Sequence, residues 1–217
     1  MILGIGGKAG AGKSTVTEYL VNKKKYEEIE LAGNMKRFLS HELRIPLSSF
    51  YDIEEKNKVR SEEILITPDL VKKVSNLLSV FYPDKKISFE ENIVCFSYRE
   101  LLQKFGTEVL RRFDEDVHIH WGFSTASKWD NVILQAIRFP NELNFVKEKN
   151  GFNIYIDRED PAVLNSQIQK EHSSENSVNK EDFDFIINNN YSLSFLYANI
   201  ESILIRIKNE REGNKRD

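Results

Sequence analysis

The chain has 217 residues, a formal net charge of -3, 40% hydrophobic residues and a single cysteine, Cys95. That length suits one α/β domain, or one domain with a sizeable insert, and the charge provides no basic field that would draw the chain to nucleic acid. One cysteine excludes an internal disulfide or a cysteine-rich metal site, and no run approaches the ~18 apolar residues that span a bilayer.

Met1 to Gly6 is short, apolar and strand-like. It reads as a first core strand rather than a removable leader, so the expected location is the cytoplasm. Gly7-Lys8-Ala9-Gly10-Ala11-Gly12-Lys13-Ser14 follows, with Thr15 behind it, and fits the phosphate-loop pattern G-x-x-x-x-G-K-[ST] at every fixed position. Val16, Tyr19 and Leu20 then recur at helical spacing. A strand feeding a glycine-rich turn that opens a helix aims backbone N–H groups and the positive helix end at one point. The expectation is a nucleoside triphosphate, ATP, held by Gly7, Ala9, Gly10, Ala11, Gly12, Lys13, Ser14 and Thr15. Lys13 would reach the β- and γ-phosphates, and the Ser14 hydroxyl would bind Mg²⁺.

Tyr26 to Leu31 predicts a second strand, and Ala32 to Leu43 a helix with Met35, Phe38, Leu39 and Leu43 on one face. Residues 48–96 read as a helical insert with weak helical patterns over Glu54 to Ile66 and Pro68 to Phe81, too long for a simple connection. Ser97 with Glu100 three residues on has the spacing of a capping box. The helix it opens runs through Leu101, Leu102, Phe105, Val109 and Leu110, and Asp116 to Lys128 suggests another. Cys95, Trp121 and Trp129 read as packing residues.

Asn131 to Ile137 is a continuous apolar run, as in a strand buried on both faces of a parallel sheet. Pro140 starts the next helix, Gly151 ends it, and Phe152 to Ile156 is the next strand. Residues 159–182 are polar and lid-like. Asp184 to Ile187 is a last short strand, Leu193 to Ile207 a last amphipathic helix, and the charged tail from Asn209 is expected to fray. Strands and helices alternating behind a phosphate loop predict a three-layer α/β fold around a parallel sheet. The apolar face of the last helix leaves core or homodimer interface open.

Phosphoryl transfer needs charge spread over clustered anions. Arg99, Arg111, Arg112, Arg138 and Arg158 stand at or beside predicted element ends. Arg138 and Arg158 follow successive strands, at the edge where open α/β sheets bind ligands. The guanine-reading Asn-Lys-x-Asp of GTPases is absent, since Asn57-Lys58 continues as Val59-Arg60.

Tyr98-Arg99-Glu100-Leu101-Leu102-Gln103-Lys104-Phe105-Gly106-Thr107-Glu108, Arg138-Phe139-Pro140-Asn141-Glu142 and His172-Ser173-Ser174-Glu175, in this order behind the phosphate loop, resemble the deoxynucleoside monophosphate kinases of tailed phages. The resemblance runs from the first strand to the last helix, apart from the insert. It implies transfer of the γ-phosphoryl of ATP to a deoxynucleoside 5′-monophosphate, with Mg²⁺, in the host cytoplasm. It further implies that Arg99, Gln103, Thr107 and Glu108 line the acceptor site, with Lys36 nearby. Arg99 or Arg111 would clamp the acceptor phosphate, Lys13, Arg138 and Arg158 would act on the transferring group, and His172 and Glu175 would belong to the lid.

Two departures stand against the resemblance. The family usually carries an Asp after the second strand, where this chain has Gly33 and its neighbours, and another two residues before the strand-end arginine, where it has Ala136. Gln135 is expected to point to the opposite strand face and to be a poor substitute. Glu30, Asp52, Asp114 and Asp116 are the remaining carboxylate candidates. Two alternatives stay open: a kinase of another small acceptor, such as dephospho-coenzyme A, and a catalytically degenerate nucleotide-binding protein.

Overall fold

The computed structural model describes residues 1–8, 10–124, 131–158 and 177–213. They form two compact units, one of Met1–Ile29 with Ala126–Asp217 and one of Glu30–Thr125.

The first unit is built on strands β1 (Ile2–Gly6), β2 (Glu27–Glu30, whose last residue opens the second unit), β5 (Val132–Ile137), β6 (Phe152–Asp157) and β7 (Phe185–Asn188). They lie in the order β2-β5-β1-β6-β7. β1 runs parallel to both β5 and β6, and β6 parallel to β7. Such strands are covered on both faces and are therefore apolar throughout; all five residues of β1 are buried. One face packs on helices α1 (Lys13–Lys24) and α9 (Leu193–Gly213), where Leu3, Ile5, Ile133 and Ile154 meet Val16, Leu20, Leu196 and Ile200. The other face meets α8 (Pro140–Glu148), whose Val146 lies against Gly4.

The second unit contains α2 (Gly33–Leu43), a 3₁₀ turn (Leu47–Phe50), α3 (Ile53–Asn57), β3 (Ile64–Ile66), α4 (Pro68–Leu78), β4 (Ile93–Cys95), α5 (Tyr98–Lys104), a π-helical segment (Phe105–Leu110), α6 (Arg111–Phe113) and α7 (Val117–Phe123). Its core joins Met35, Leu39, Phe50, Val71, Leu78, Cys95, Leu101, Phe105, Leu110 and Trp121. Cys95 is fully buried there, and burial pushes its thiol up to about 11, so it behaves as a hydrophobe. Trp121 packs edge-on to Phe38. Ser97 caps α5 as its spacing predicts: its hydroxyl accepts from the Glu100 N–H at 3.1 Å, while the Glu100 carboxylate accepts from the Phe96 N–H at 2.8 Å.

Three expectations are corrected. Ile64–Ile66, the end of a predicted helix, is instead a strand that pairs antiparallel with Ile93–Cys95, a strand the sequence reading missed. The tail does not fray at Asn209. Helix α9 continues to Gly213, and Arg211 stays on the fold by donating to the Asn150 carbonyl. Gly151 does not take the left-handed turn that ends α8, since Asn150 does, at φ 53°. Glycine at 151 answers a different need, because a Cβ there would lie 2.5 Å from the Ile2 carbonyl oxygen and 2.8 Å from Val146. Trp129, the second predicted packing tryptophan, lies outside the described residues.

Gly151→Ala should therefore destabilise the fold by about 1–3 kcal/mol, the usual penalty of overpacking, because backbone cannot yield as a side chain can. Asn150→Gly should leave stability equal or slightly higher. Urea unfolding midpoints of the two variants check this contrast.

Candidate functional site

The carboxyl ends of the parallel strands β1, β5, β6 and β7 lead into Gly7, Arg138, Arg158 and Asn189. Four loops of the first unit thus gather at one sheet edge. The loop after β1 uses three left-handed glycines, Gly7, Gly10 and Gly12, at φ 140°, 76° and 102°. Gly12 immediately precedes α1, and any side chain there would strike the Asn189 amide at 2.4 Å. No side chain caps α1, which leaves its first N–H groups directed at the loop. The Lys13 ammonium folds back over that loop and donates to the Gly7 and Lys8 carbonyl oxygens, both at 2.7 Å. The Asn189 amide donates to the Ala11 carbonyl at 2.8 Å, tying the β7–α9 connection to the loop. Nothing in the sequence reading marked Asn189; an asparagine just past a short strand is an ordinary turn signal.

Arg158 is exposed and its guanidinium lies 3.5 Å from the Gly10 carbonyl oxygen. Arg138 is exposed as well. Its backbone N–H and that of Phe139 both donate to the buried Glu142 carboxylate, at 2.7 and 3.1 Å, so α8 holds the backbone and leaves the guanidinium at the surface. Ala9, His172 and Glu175 lie outside the described residues.

The expectation for Gln135 is corrected. Its carboxamide nitrogen lies 3.3 Å from the Ser14 oxygen. Position 135 shares the strand face of Ile133, which packs toward α1. The irregularity in β5 follows it, where Ile5 pairs with Gln135 but Gly6 pairs with Ile137, and Ala136 between them has φ 64°. The acid expected at 136 would stand in this bulge, whereas position 135 faces Ser14.

In the second unit Lys36 is paired with the Glu30 carboxylate, and its ammonium stands 3.9 Å above the Tyr51 ring. Tyr51 donates to the other Glu30 oxygen at 2.6 Å. A Cβ at Gly33 would lie 3.2 Å from that same oxygen. The carboxylate missing at Gly33 is therefore present beside it, on Glu30. Asp52 instead caps α3, Asp114 pairs with Lys85 at 2.5 Å, and Asp114 also accepts from the Asp116 N–H.

Arg99 donates to Asn57, and Thr107 donates back to the Gln103 carbonyl at 2.8 Å. Arg99, Gln103, Thr107 and Arg111 follow at intervals of four and are all partly buried, while Glu108 is exposed beside that row. A four-residue row drifts around an α-helix. The π-helical segment turns through more residues per revolution, which offsets the drift, and such segments recur at functional sites. His118 lies under it, with Nε2 at 3.4 Å from the Gly106 carbonyl oxygen, and burial, with Arg111 adding, holds its imidazole down at about 4.

Fold and loop together define an α/β protein with a glycine-rich strand–loop–helix unit at a sheet edge. The profile of the deoxynucleotide monophosphate kinase family matches residues 47–200, and the chain belongs to that family. It is a nucleoside monophosphate kinase, a phosphotransferase. A protein of Acanthamoeba polyphaga mimivirus, named provisionally as a deoxynucleotide monophosphate kinase, is 22% identical over 216 residues, which cover 93% of this chain and 95% of that protein. The crystal structure of TT1252 from Thermus thermophilus aligns over 95% of this chain and 97% of its own at 15% identity, with a TM-score of 0.44.

His118 makes stability depend on pH in a stated direction. Its folded value is depressed, so between about 6.5 and about 4 the unfolded chain binds the extra proton and stability falls as pH is lowered. The carboxylates held low by lysines (Glu42, Glu100, Asp114, Glu201) lose their contribution only further down, below about 4.5. Between pH 6.5 and 4.5 His118→Phe should flatten the stability profile, a difference of at most about 3 kcal/mol, measured by urea unfolding at stepped pH.

Proposed function

We propose that the chain is a phage-type kinase that transfers the γ-phosphoryl group of ATP to a deoxynucleoside 5′-monophosphate. The observation that carries this is the phosphate loop from Gly7 to Thr15, closed on itself by Lys13 at the edge of a parallel sheet, in a chain matched by that family.

In this reading the triphosphate lies on the loop backbone between Gly7 and Thr15, and its charge meets the α1 terminus. Lys13 leaves the two carbonyls for the β- and γ-phosphates. Arg138 and Arg158, both exposed after successive strands, supply charge to the transferring group. The donor set also suits Mg²⁺: Ser14 contributes a hydroxyl oxygen, a hard donor, to which the Gln135 carboxamide nitrogen donates. When bound, the ion would shield the phosphate charge.

The acceptor reading places the deoxynucleotide on the second unit, with residues 48–96 as the acceptor-side arm. Lys36, Arg99 and Arg111 serve its phosphate, Gln103 and Thr107 its base, and Glu108 stands beside them. The row of Arg99, Gln103, Thr107 and Arg111 supports this assignment. Residues 159–182, with His172 and Glu175, are the lid. The partners are free nucleotides in the cytoplasm, with neither nucleic acid nor membrane involved; among the described residues no helix is long and apolar enough to cross a membrane. Phe195 and Ile205, each roughly half exposed on α9, offer a homodimer face.

Incubation with Mg·ATP and each of dTMP, dGMP, dCMP and dAMP should yield ADP and a deoxynucleoside diphosphate with at least one acceptor. Lys13→Ala should lower that rate about 10²- to 10³-fold or more while leaving the melting temperature unchanged. ATP binding without turnover on any of the four would favour another acceptor or a catalytically silent protein.

A further inference from the structure

β5 reads Val-Ile-Leu-Gln-Ala-Ile, and Gln135 is its one polar residue. Ile133 belongs to the cluster that contains Val16 and Leu20 of α1, so two residues on, the same strand face presents position 135 to α1. The bulge at Ala136 then absorbs one residue, and Ile137 returns to the opposite face, against Gly4. Without the bulge the strand would end one residue out of phase with Gly6. A half-buried carboxamide in an apolar strand needs a hydrogen-bond partner, and the Ser14 oxygen at 3.3 Å is the partner it meets.

An amide differs from a carboxylate here in two ways. It carries no charge, and it offers either a donor or an acceptor depending on how it turns. Ser14 and Gln135 together offer neutral oxygens only. Among the described residues no group of three or more His, Cys, Asp or Glu could hold a cation. Magnesium parts reluctantly with water and is held in such sites by carboxylates together with substrate phosphates.

We propose that Gln135 is the positioning residue for Ser14, and that it keeps the protein's share of the metal shell uncharged. The cation then enters only as a complex with the nucleotide. The proposal rests on the reading of Gly7 to Thr15 as the nucleotide site. Phosphate oxygens supply the negative charge, and Gln135 holds the serine hydroxyl at the place where the complex arrives. A carboxylate at the same position would convert the pair into a cation site that needs no nucleotide.

Two experiments on the full chain decide it. First, Mn²⁺ alone is titrated by electron paramagnetic resonance into the wild type and Gln135→Glu, without nucleotide. The wild type should bind no Mn²⁺ below about 1 mM, and Gln135→Glu should bind it at least ~10-fold more tightly. Equal behaviour of the two proteins, whether both bind or neither does, overturns the proposal. Second, ATP affinity is measured by calorimetry for the wild type and Gln135→Leu, with Mg²⁺ and with EDTA. Loss of one hydrogen bond should weaken Mg·ATP about 5-fold and leave metal-free ATP binding unchanged. An equal loss in EDTA would make Gln135 merely structural and overturn the proposal. If the wild type binds no ATP at all, the nucleotide reading fails, while the Mn²⁺ titration still decides the role of Gln135.

Discussion

A parallel sheet forces every connection to return to the same end before the next strand begins. That single constraint collects the chemistry of the first unit. β1, β5, β6 and β7 deliver Lys13, Arg138, Arg158 and Asn189 to one edge, although up to 178 residues separate hydrogen-bonded partners such as Ala11 and Asn189. The strands themselves carry almost no chemistry. Their side chains are spent on the two faces, Leu3, Ile5 and Ile133 toward α1 and α9, and Gly4 toward α8. The polar work falls to the loops, which is where a rigid scaffold places it.

Most of the elements were legible in the sequence because each rests on one strong local rule. The glycine spacing of residues 7–12, the apolar run over 132–137 and the Ser97–Glu100 cap each reflect a backbone requirement that few residue types meet. The short sheet of Ile64–Ile66 and Ile93–Cys95 was not legible. Three-residue strands carry no period, and their pairing spans an intervening helix. Nor does a helical pattern show where a charged side chain finds a distant carbonyl, as Arg211 does at Asn150.

The candidate site was legible in its residue types and less so in their aim. Alternation counted from Ile133 turns Gln135 toward α1, but counted back from Ala136 it misleads, because that residue is looped out of the ladder, and one alanine in a left-handed conformation leaves no mark in an apolar run. The carboxylate beside Gly33 was hidden for a related reason. Glu30 belongs to the preceding strand, and only folding brings its oxygen to within 3.2 Å of where a side chain at 33 would begin. Removing that side chain makes room for the neighbour's charge, which Lys36 and Tyr51 then hold.

Lys13 occupies its own loop. Its ammonium satisfies the Gly7 and Lys8 carbonyl oxygens from within the same turn. In the proposed reading, entry of an anion there is an exchange of partners for Lys13. Such a site starts with most of its ordering entropy already spent by folding, and the heat capacity change of occupancy should stay small, because little apolar surface is newly covered.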